Sequence, residues 1–343
     1  MSKEDRLKII RELQTKRNSL LVSYVTSTRP QLEVPMAMDC VRKIYDHLKA
    51  PHEPAKRNID LFLHSNGGDG TVPWRLVTLI REFAGKFSVL VPYRAFSAAT
   101  LTALGADSIV MHSMGVLGPT DPTVQNPFNP KDPANPTQAL GISVEDVTAY
   151  IALIKEDAGI QHEDEMVIAF NQLASQVHPL ALGNVKRSIS QSRMMARKLL
   201  SLHMDAKDSQ RIADIVDNLT SKLFYHGHPI NRLEAKDLGI PTVESPDTEV
   251  EDLIWKLYLE YEAEIKMESR FDLIEEFTTQ FPTSTTLKNT WHTTTSVSAK
   301  MAYIESESSS DALELQYQVT GTISDNGAIN CNLLVVKQGW IKE

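Results

Sequence analysis

Short apolar runs alternate with segments of helical periodicity along the first third of the chain. Runs typical of buried strands lie at residues 20–26, 59–64, 87–91 and 108–112. Between them, apolar side chains recur at helical spacing in residues 4–18, 34–48 and 71–84, and small or helix-forming residues follow residue 97. This alternation predicts right-handed crossovers and a parallel sheet, hence an α/β fold.

The pattern changes twice in the rest of the chain. Six prolines within residues 117–141 predict a long loop, and residues 143–221 are helical in pattern almost throughout. A charged amphipathic helix is predicted over residues 246–271. Beyond it, alternating residues around an Asp-Asn-Gly turn at 325–327 predict antiparallel strands. We therefore expect a main domain at 1–245, a connecting amphipathic helix within 246–282, and a small β-rich appendage of unknown role at 283–343.

Composition and residue spacing limit the partners, cofactors and cellular compartment that we expect. A net charge of −9 argues against a nucleic acid held through its phosphates, and 42% hydrophobic residues permit a sizeable core. Two distant cysteines, Cys40 and Cys331, suggest reduced thiols in a cytoplasmic protein. No cysteine and histidine spacing indicates a metal site, and no apolar run approaches the length of a membrane span. We therefore expect no metal, no cofactor and no stable membrane anchor.

Candidate catalytic residues follow the ends of two predicted strands. Ser97 follows the strand at 87–91 and precedes a helix, where unpaired N–H groups can stabilise an oxyanion. Gly67 and Gly68 follow the strand at 59–64, where glycine permits positive φ and close backbone approach. Taken alone, Ser97 has the alternative role of an N-cap and the glycines that of an ordinary turn. Neither stretch is a phosphate-binding P-loop or a Gly-x-Ser-x-Gly elbow.

Several motifs in one order are more specific than either stretch. They are Leu-His-Ser-Asn-Gly-Gly at 63–68, Phe-Ser-Ala-Ala-Thr-Leu at 96–101, Leu-Gly-Ala-Asp-Ser-Ile-Val-Met at 104–111, Leu-Gly-Pro-Thr-Asp-Pro at 117–122, His-Pro-Leu-Ala-Leu-Gly at 178–183, and the segment 225–240. Together they resemble the serine dehydrogenase proteinase family. That family belongs to the Clp protease/crotonase superfamily and is related to signal peptide peptidase A. The resemblance covers roughly residues 20–245.

This resemblance implies a fold, an activity and a site. The fold would be a Clp/crotonase-type ββα spiral with a mostly parallel sheet, followed here by the C-terminal helix and β appendage. The activity would be hydrolysis of peptides or unfolded proteins, with Ser97 as nucleophile and the N–H groups of Gly67, Gly68 and Ala98 as the oxyanion hole. Relatives of this fold close into rings or stacks, so a homo-oligomer is expected.

The general base is not fixed by the sequence. His178 lies in a block that matches the family pattern, and a histidine titrates near neutrality, so it is the base we favour; its alternative role is a helix-end residue before a proline. Four further residues stay open, namely Asp121, Lys155, Lys186 and His226.

Two other functions also stay open. One is a catalytically silent oligomeric scaffold, in which no base is present and Ser97 only caps its helix. The other is acyl-CoA chemistry, which the same fold supports.

Overall fold

The structure of the protein is a computed structural model that describes residues 3–49, 56–121, 123–124, 126–132, 135, 137, 139–221 and 227–343. Its α-helices are α1 (Lys3–Arg17), α2 (Asp39–Lys49), α3 (Val72–Phe83), α4 (Ala98–Leu104), α5 (Val144–Ala152), α6 (Glu163–Gln176), α7 (Pro179–Leu200), α8 (Ser209–Ser221), α9 (Arg232–Asp237), α10 (Thr248–Ile265) and α11 (Leu273–Gln280). A π-helix spans Leu153–Asp157 and a 3₁₀-helix spans Ala206–Asp208.

The strands are β1 (Leu20–Thr26), β2 (Arg57–His64), β3 (Ala84–Val91), β4 (Arg94–Ala95), β5 (Ser108–Met111), β6 (Val116–Leu117), β7 (Thr123–Val124), β8 (Ile142–Ser143), β9 (Val243–Glu244), β10 (His292–Thr293), β11 (Val297–Ser306), β12 (Ser309–Ile323) and β13 (Ile329–Lys342). Within the described residues, nine of them form one sheet in the order β10-β12-β11-β1-β2-β3-β5-β9, with β13 paired to the remaining edge of β12. Strands β1, β2, β3, β5 and β9 are parallel. The predicted α/β class with a parallel core is confirmed.

Helices cover both faces of the parallel strands because those strands are apolar on both sides. All of β1 is buried, and successive residues of β2 point into different cores: Leu61 and Leu63 on one face, Phe62 on the other. The first core contains residues of α2, α3, α4, α7 and α8, and the second contains residues of α1 and α10. Continuous apolar runs of this kind are expected for a sheet covered on both faces.

The C-terminal strands are antiparallel, as expected, but they extend the central sheet. Strand β11 pairs with β1, with Ser23 opposite Glu305 and Thr26 opposite Ala302. Helix α10 packs beside α1 in the second core instead of connecting two bodies. Strands β11, β12 and β13 thus belong to the same sheet as β1, and α10 shares a core with α1.

Two local expectations also change. Helix α2 begins at Asp39 rather than near residue 34, because Met36 is extended and forms a parallel bridge with Gly68. The sequence predicts strand and turn over residues 224–243, but residues 232–237 form α9, whose N–H groups of Leu233 and Glu234 donate to the side chain of Asn231.

The aromatic residues of α10 belong to the core. Tyr258 and Tyr261 are fully buried, and Tyr261 contacts the rings of Phe62 and Tyr303. These two tyrosines are therefore packed within the chain and are not available for contact with another copy.

Candidate active site

A buried serine connects the glycine turn after β2 to the segment that carries Ser97. The backbone N–H of Ser65 donates to the Arg94 carbonyl at 2.9 Å, and its carbonyl accepts from the Phe96 N–H at 3.0 Å. Its Oγ accepts from Thr26 Oγ1 at 2.9 Å and from the Gly67 N–H at 3.0 Å. These bonds hold the glycine turn and the segment that carries Ser97 side by side.

The two glycines are required by their conformation and by their neighbours. Gly67 has φ +92° and Gly68 has φ +155°. A Cβ on Gly67 would lie 2.6 Å from the Phe96 carbonyl oxygen, and a Cβ on Gly68 would lie 2.3 Å from the Met36 carbonyl oxygen. Any larger residue would therefore push the turn away from both neighbouring segments.

Ser97 adopts a backbone conformation that an L-residue rarely takes, with φ +52° and ψ −112°. It holds the N-cap position of α4, yet its side chain makes no capping hydrogen bond. The capping role left open by the sequence is thus not the one that the structure gives to the hydroxyl. Strained residues held by their surroundings are concentrated at active sites.

Ser97 lines a cavity of about 430 Å³ together with Gly68 and Ala98. Among the described residues, the N–H groups of Gly68 and Ala98 have no acceptor within the chain. Gly67 differs from the expectation, because its N–H donates to Ser65 Oγ and the residue does not line the cavity. Of the three N–H groups that we expected to form an oxyanion hole, those of Gly68 and Ala98 therefore lie at the cavity without an acceptor among the described residues, whereas that of Gly67 is engaged within the turn.

The structure does not place His178 at this cavity. The residue is exposed at the N-terminus of α7, its Nδ1 accepts from the Leu180 N–H at 3.2 Å, and its ring stacks on Phe128 with centroids 4.9 Å apart. The helix-end role is the one observed.

The other open candidates for the base do not line the cavity either. Lys186 is exposed on α7, Lys155 is exposed in the π-helix, and Asp121 is buried. His226 lies outside the described residues. Among the described residues that line the cavity, Asp69 alone is ionisable, and its Oδ1 accepts from the N–H and hydroxyl of Thr71.

Four polar cavity residues do not stand out in the sequence. They are Thr120, Ser188, Gln191 and Ser192, the last three on α7. Their spacing of i, i+3 and i+4 places the α7 residues on one helix face. A face of uncharged polar residues on a long helix is the signal that could have found the three residues of α7.

The described residues contain neither a candidate membrane span nor a candidate metal cluster. The helices there include none whose length and apolarity would carry the chain through a bilayer. The same residues hold no group of three or more histidine, cysteine, aspartate or glutamate side chains placed to ligate a metal ion.

Comparisons with known proteins find similar chains. Two uncharacterized proteins of Methanocaldococcus jannaschii are each 25% identical to the chain, one over 267 residues (76% of this chain, 80% of the relative) and one over 239 residues (68% and 70%). Two solved structures of variants of the 1510-N membrane-bound stomatin-specific protease are also similar. One, in complex with a substrate peptide, is 15% identical over 67% of this chain and 77% of the other, with a TM-score of 0.38. The second is 16% identical over 61% and 76%, with a TM-score of 0.33.

The match to a protein family includes both the glycine turn and the segment that carries Ser97. Residues 1–177 match the ClpP-like SDH-type serine proteinases, a range that includes the glycine turn and Ser97. Since this match spans more than half of the 343 residues, the chain belongs to the ClpP-like SDH-type serine proteinase family.

Proposed function

We propose that this protein is a serine peptidase whose nucleophile is Ser97 and whose substrates are peptides or unfolded proteins. The observation that carries the proposal is the combination at one cavity of a strained, uncapped serine with two unengaged N–H groups. A serine that only capped its helix would use its Oγ for that purpose. Family membership supports the same reaction class.

The proposed reaction assigns a role to each of these groups. Ser97 Oγ attacks the peptide carbonyl carbon while its proton passes to a base, and the carbonyl oxygen becomes an oxyanion. The N–H groups of Gly68 and Ala98 donate to that oxyanion. The tetrahedral adduct collapses, the leaving amine takes a proton, and water then hydrolyses the acyl-serine ester. Two fixed donors stabilise charge that develops only during the reaction, which is the condition for catalysis.

A fluorophosphonate probe with mass spectrometry tests the nucleophile. We expect labelling at Ser97, and we expect Ser97→Ala to abolish both labelling and peptide hydrolysis. Ser113→Ala is the matched control, because Ser113 is exposed and does not line the cavity. Undiminished hydrolysis by Ser97→Ala, or labelling of another serine in active protein, refutes the assignment. A wild-type protein that neither reacts with the probe nor cleaves a broad peptide library favours the scaffold alternative.

A further inference from the structure

A groove of about 420 Å³ lies between α2 and α3, on the face of the sheet that also carries α4 and α7. Apolar side chains line it: Val41 and Leu79 are buried, whereas Met38, the residue before α2, is 45% exposed. The half-buried ring of Tyr45 adds to this apolar lining. A methionine at an open apolar surface can adapt to different partner side chains. We call this feature the α2–α3 groove.

Cations surround the α2–α3 groove, although the whole chain carries a net charge of −9. Arg42 and Arg75 line the groove and are exposed, and Lys49 Nζ lies 5.8 Å from the centre of the Tyr45 ring. Among the described residues that line the groove, none is acidic. Arg42 pairs with Asp46 at 3.6 Å, but both side chains are largely exposed, so this pair contributes little. The groove therefore combines positive charge with apolar surface.

The α2–α3 groove and the cavity at Ser97 are neighbours. Met36 forms a parallel bridge with Gly68, and its carbonyl accepts from the Asp69 N–H at 2.9 Å. Gly68 and Asp69 line the cavity, whereas Met38, two residues after Met36, lines the groove. Two extended residues span at most about 7 Å. A polypeptide held in the cavity therefore needs few further residues to reach the groove.

We propose that the α2–α3 groove is an exosite for a segment of the substrate polypeptide in which carboxylates stand next to apolar side chains. The inference rests on the proposed function, because it assigns the groove to the substrate that Ser97 cleaves. Carboxylates complement the cations, and apolar side chains cover Met38 and Tyr45. Arg42 and Lys49 are seven residues apart on α2, which is about 10 Å. A polypeptide can present a carboxylate to each of them, which a ligand with one carboxylate cannot do.

A labelled peptide in which glutamate alternates with leucine and phenylalanine tests the groove, beside a counterpart with lysine in place of glutamate. We expect Ser97→Ala protein to bind the glutamate peptide at least about fivefold more tightly in fluorescence anisotropy. The net charge of −9 favours the opposite order, so this result would report the cations of the groove. Serine in place of leucine and phenylalanine should also weaken binding, because the apolar contact is lost.

A charge reversal in the groove provides the matched comparison. In the Ser97→Ala protein, Arg75→Glu should weaken binding of the glutamate peptide at least about fivefold and tighten binding of the lysine peptide, a gain that an unfolded variant could not show. Arg11→Glu makes the same charge change at an exposed residue of α1, which packs on the other face of the sheet, and should alter neither affinity. Tighter binding of the lysine peptide without Arg75→Glu, or equal effects of the two substitutions, would overturn the proposal.

Catalysis distinguishes an exosite for the substrate from a separate binding site. The glutamate segment is joined to either end of a short peptide that the wild-type protein cleaves. For at least one of the two products we expect KM to fall at least about fivefold with little change in kcat, because the segment binds equally in the ground state and the transition state. Arg75→Glu should remove this gain. An unchanged KM for both extended peptides would show that the groove does not serve the substrate.

The two proposals fail in different ways. Charge-selective binding that Arg75→Glu reverses, without hydrolysis or probe labelling, rejects Ser97 as nucleophile and supports the groove as a site for acidic, apolar polypeptide. Hydrolysis and labelling at Ser97 without charge selectivity reject the exosite and support the peptidase.

Discussion

Gly67 lies against Ser97, so that a Cβ at residue 67 would come 2.8 Å from the Ser97 Cβ. The two residues are 30 positions apart in sequence and belong to turns after different strands. Their contact explains why the glycine is needed although its N–H is engaged elsewhere. Gly67 controls the distance between the turn that carries Gly68 and the residue that we propose as nucleophile.

Gly67→Ala should therefore damage the site more than the fold. A methyl group would contact the Phe96 carbonyl oxygen and Ser97 Cβ, displacing Ser97 from the neighbouring N–H groups. We expect about 10²-fold loss of kcat/KM, the scale associated with a shift of about 1 Å, and a loss of about 1–3 kcal/mol in unfolding free energy from strain at φ +92°. Gly183→Ala, in open space on α7, should keep activity and stability. Equal behaviour of the two variants contradicts this account.

The conformation of Ser97 should appear as a stability cost. Alanine at this position keeps the strain of φ +52°, whereas glycine relieves it. We expect Ser97→Gly to be more stable than Ser97→Ala by about 1 kcal/mol in urea denaturation, with both variants inactive. A more stable alanine variant would show that the backbone at residue 97 is not strained.

The sequence predicts the parallel half of the fold well, because each strand there is a separate apolar run. Strand β1 is found at the residues expected, and β2 ends at the expected His64. The sequence does not predict that β11 pairs with β1. An alternation of apolar and polar residues indicates a strand but does not identify the strand that pairs with it. The same limit applies to Met36, which looks helical in pattern but is extended because it pairs with Gly68.

At the site, the sequence indicates where the chain turns but not how each hydrogen bond is used. Ser97, Gly68 and Ala98 meet at one cavity. Whether an N–H is available depends on a side chain nearby, as Ser65 shows for Gly67. Chemical type and the family pattern favour His178 in the sequence, but its place at the start of α7 shows that its ring accepts a backbone hydrogen bond.

Buried histidine should make the protein sensitive to acid. His64 is fully buried, and burial, with a smaller effect from Arg94, lowers the pKa of its imidazole to about 3. Below pH of about 6.5 the unfolded chain binds a proton there that the folded chain does not, so stability present at neutral pH is lost as pH falls.

We expect His64→Gln to lose less unfolding free energy than the wild type between pH 7 and pH 4.5, by about 2 kcal/mol. Urea denaturation at pH 7 and at pH 4.5 measures this change in unfolding free energy. His162→Gln, at an exposed histidine, should follow the wild type. If His64→Gln shows the same pH dependence as the wild type, His64 is not the group that titrates on unfolding.

A buried ion pair between Arg6 and Glu305 joins the first helix to the C-terminal strands. We therefore expect the two ends of the chain to unfold together. Arg6 on α1 donates to both carboxylate oxygens of the fully buried Glu305 on β11, at 2.9 and 3.0 Å, and Tyr261 on α10 donates to the same carboxylate at 2.6 Å. Burial of Arg6 lowers the pKa of its guanidinium, but the bond to Glu305 more than offsets it, so the net shift is upward.

Arg6→Met should cost about 3–5 kcal/mol, because it leaves a buried carboxylate without its cation. A second substitution, Glu305→Met, should restore part of that loss in a double-mutant cycle. Arg42→Met, at an exposed pair with Asp46, should cost at most about 0.5 kcal/mol. Denaturant unfolding should stay a single transition; separate transitions for the two ends would contradict a shared core.

The free edge of β13 is where we expect two copies of the chain to meet. Four successive apolar residues, Leu333 to Val336, are each at least about one-third exposed, and within the described residues β13 pairs only with β12. A long apolar edge without proline is a template for pairing with another strand. Antiparallel alignment of two copies would place the apolar runs together and bring Lys342 of one towards Asp325 of the other.

Light scattering at micromolar concentration should therefore give about twice the 38.4 kDa of one chain. Val335→Lys should shift the mass towards one chain, because a charged residue on an edge strand opposes pairing. Leu233→Lys, at an exposed apolar residue of α9, should leave the dimer intact. A wild-type protein that runs as a single chain, or a dimer that survives Val335→Lys, would exclude the β13 edge as the site of self-association.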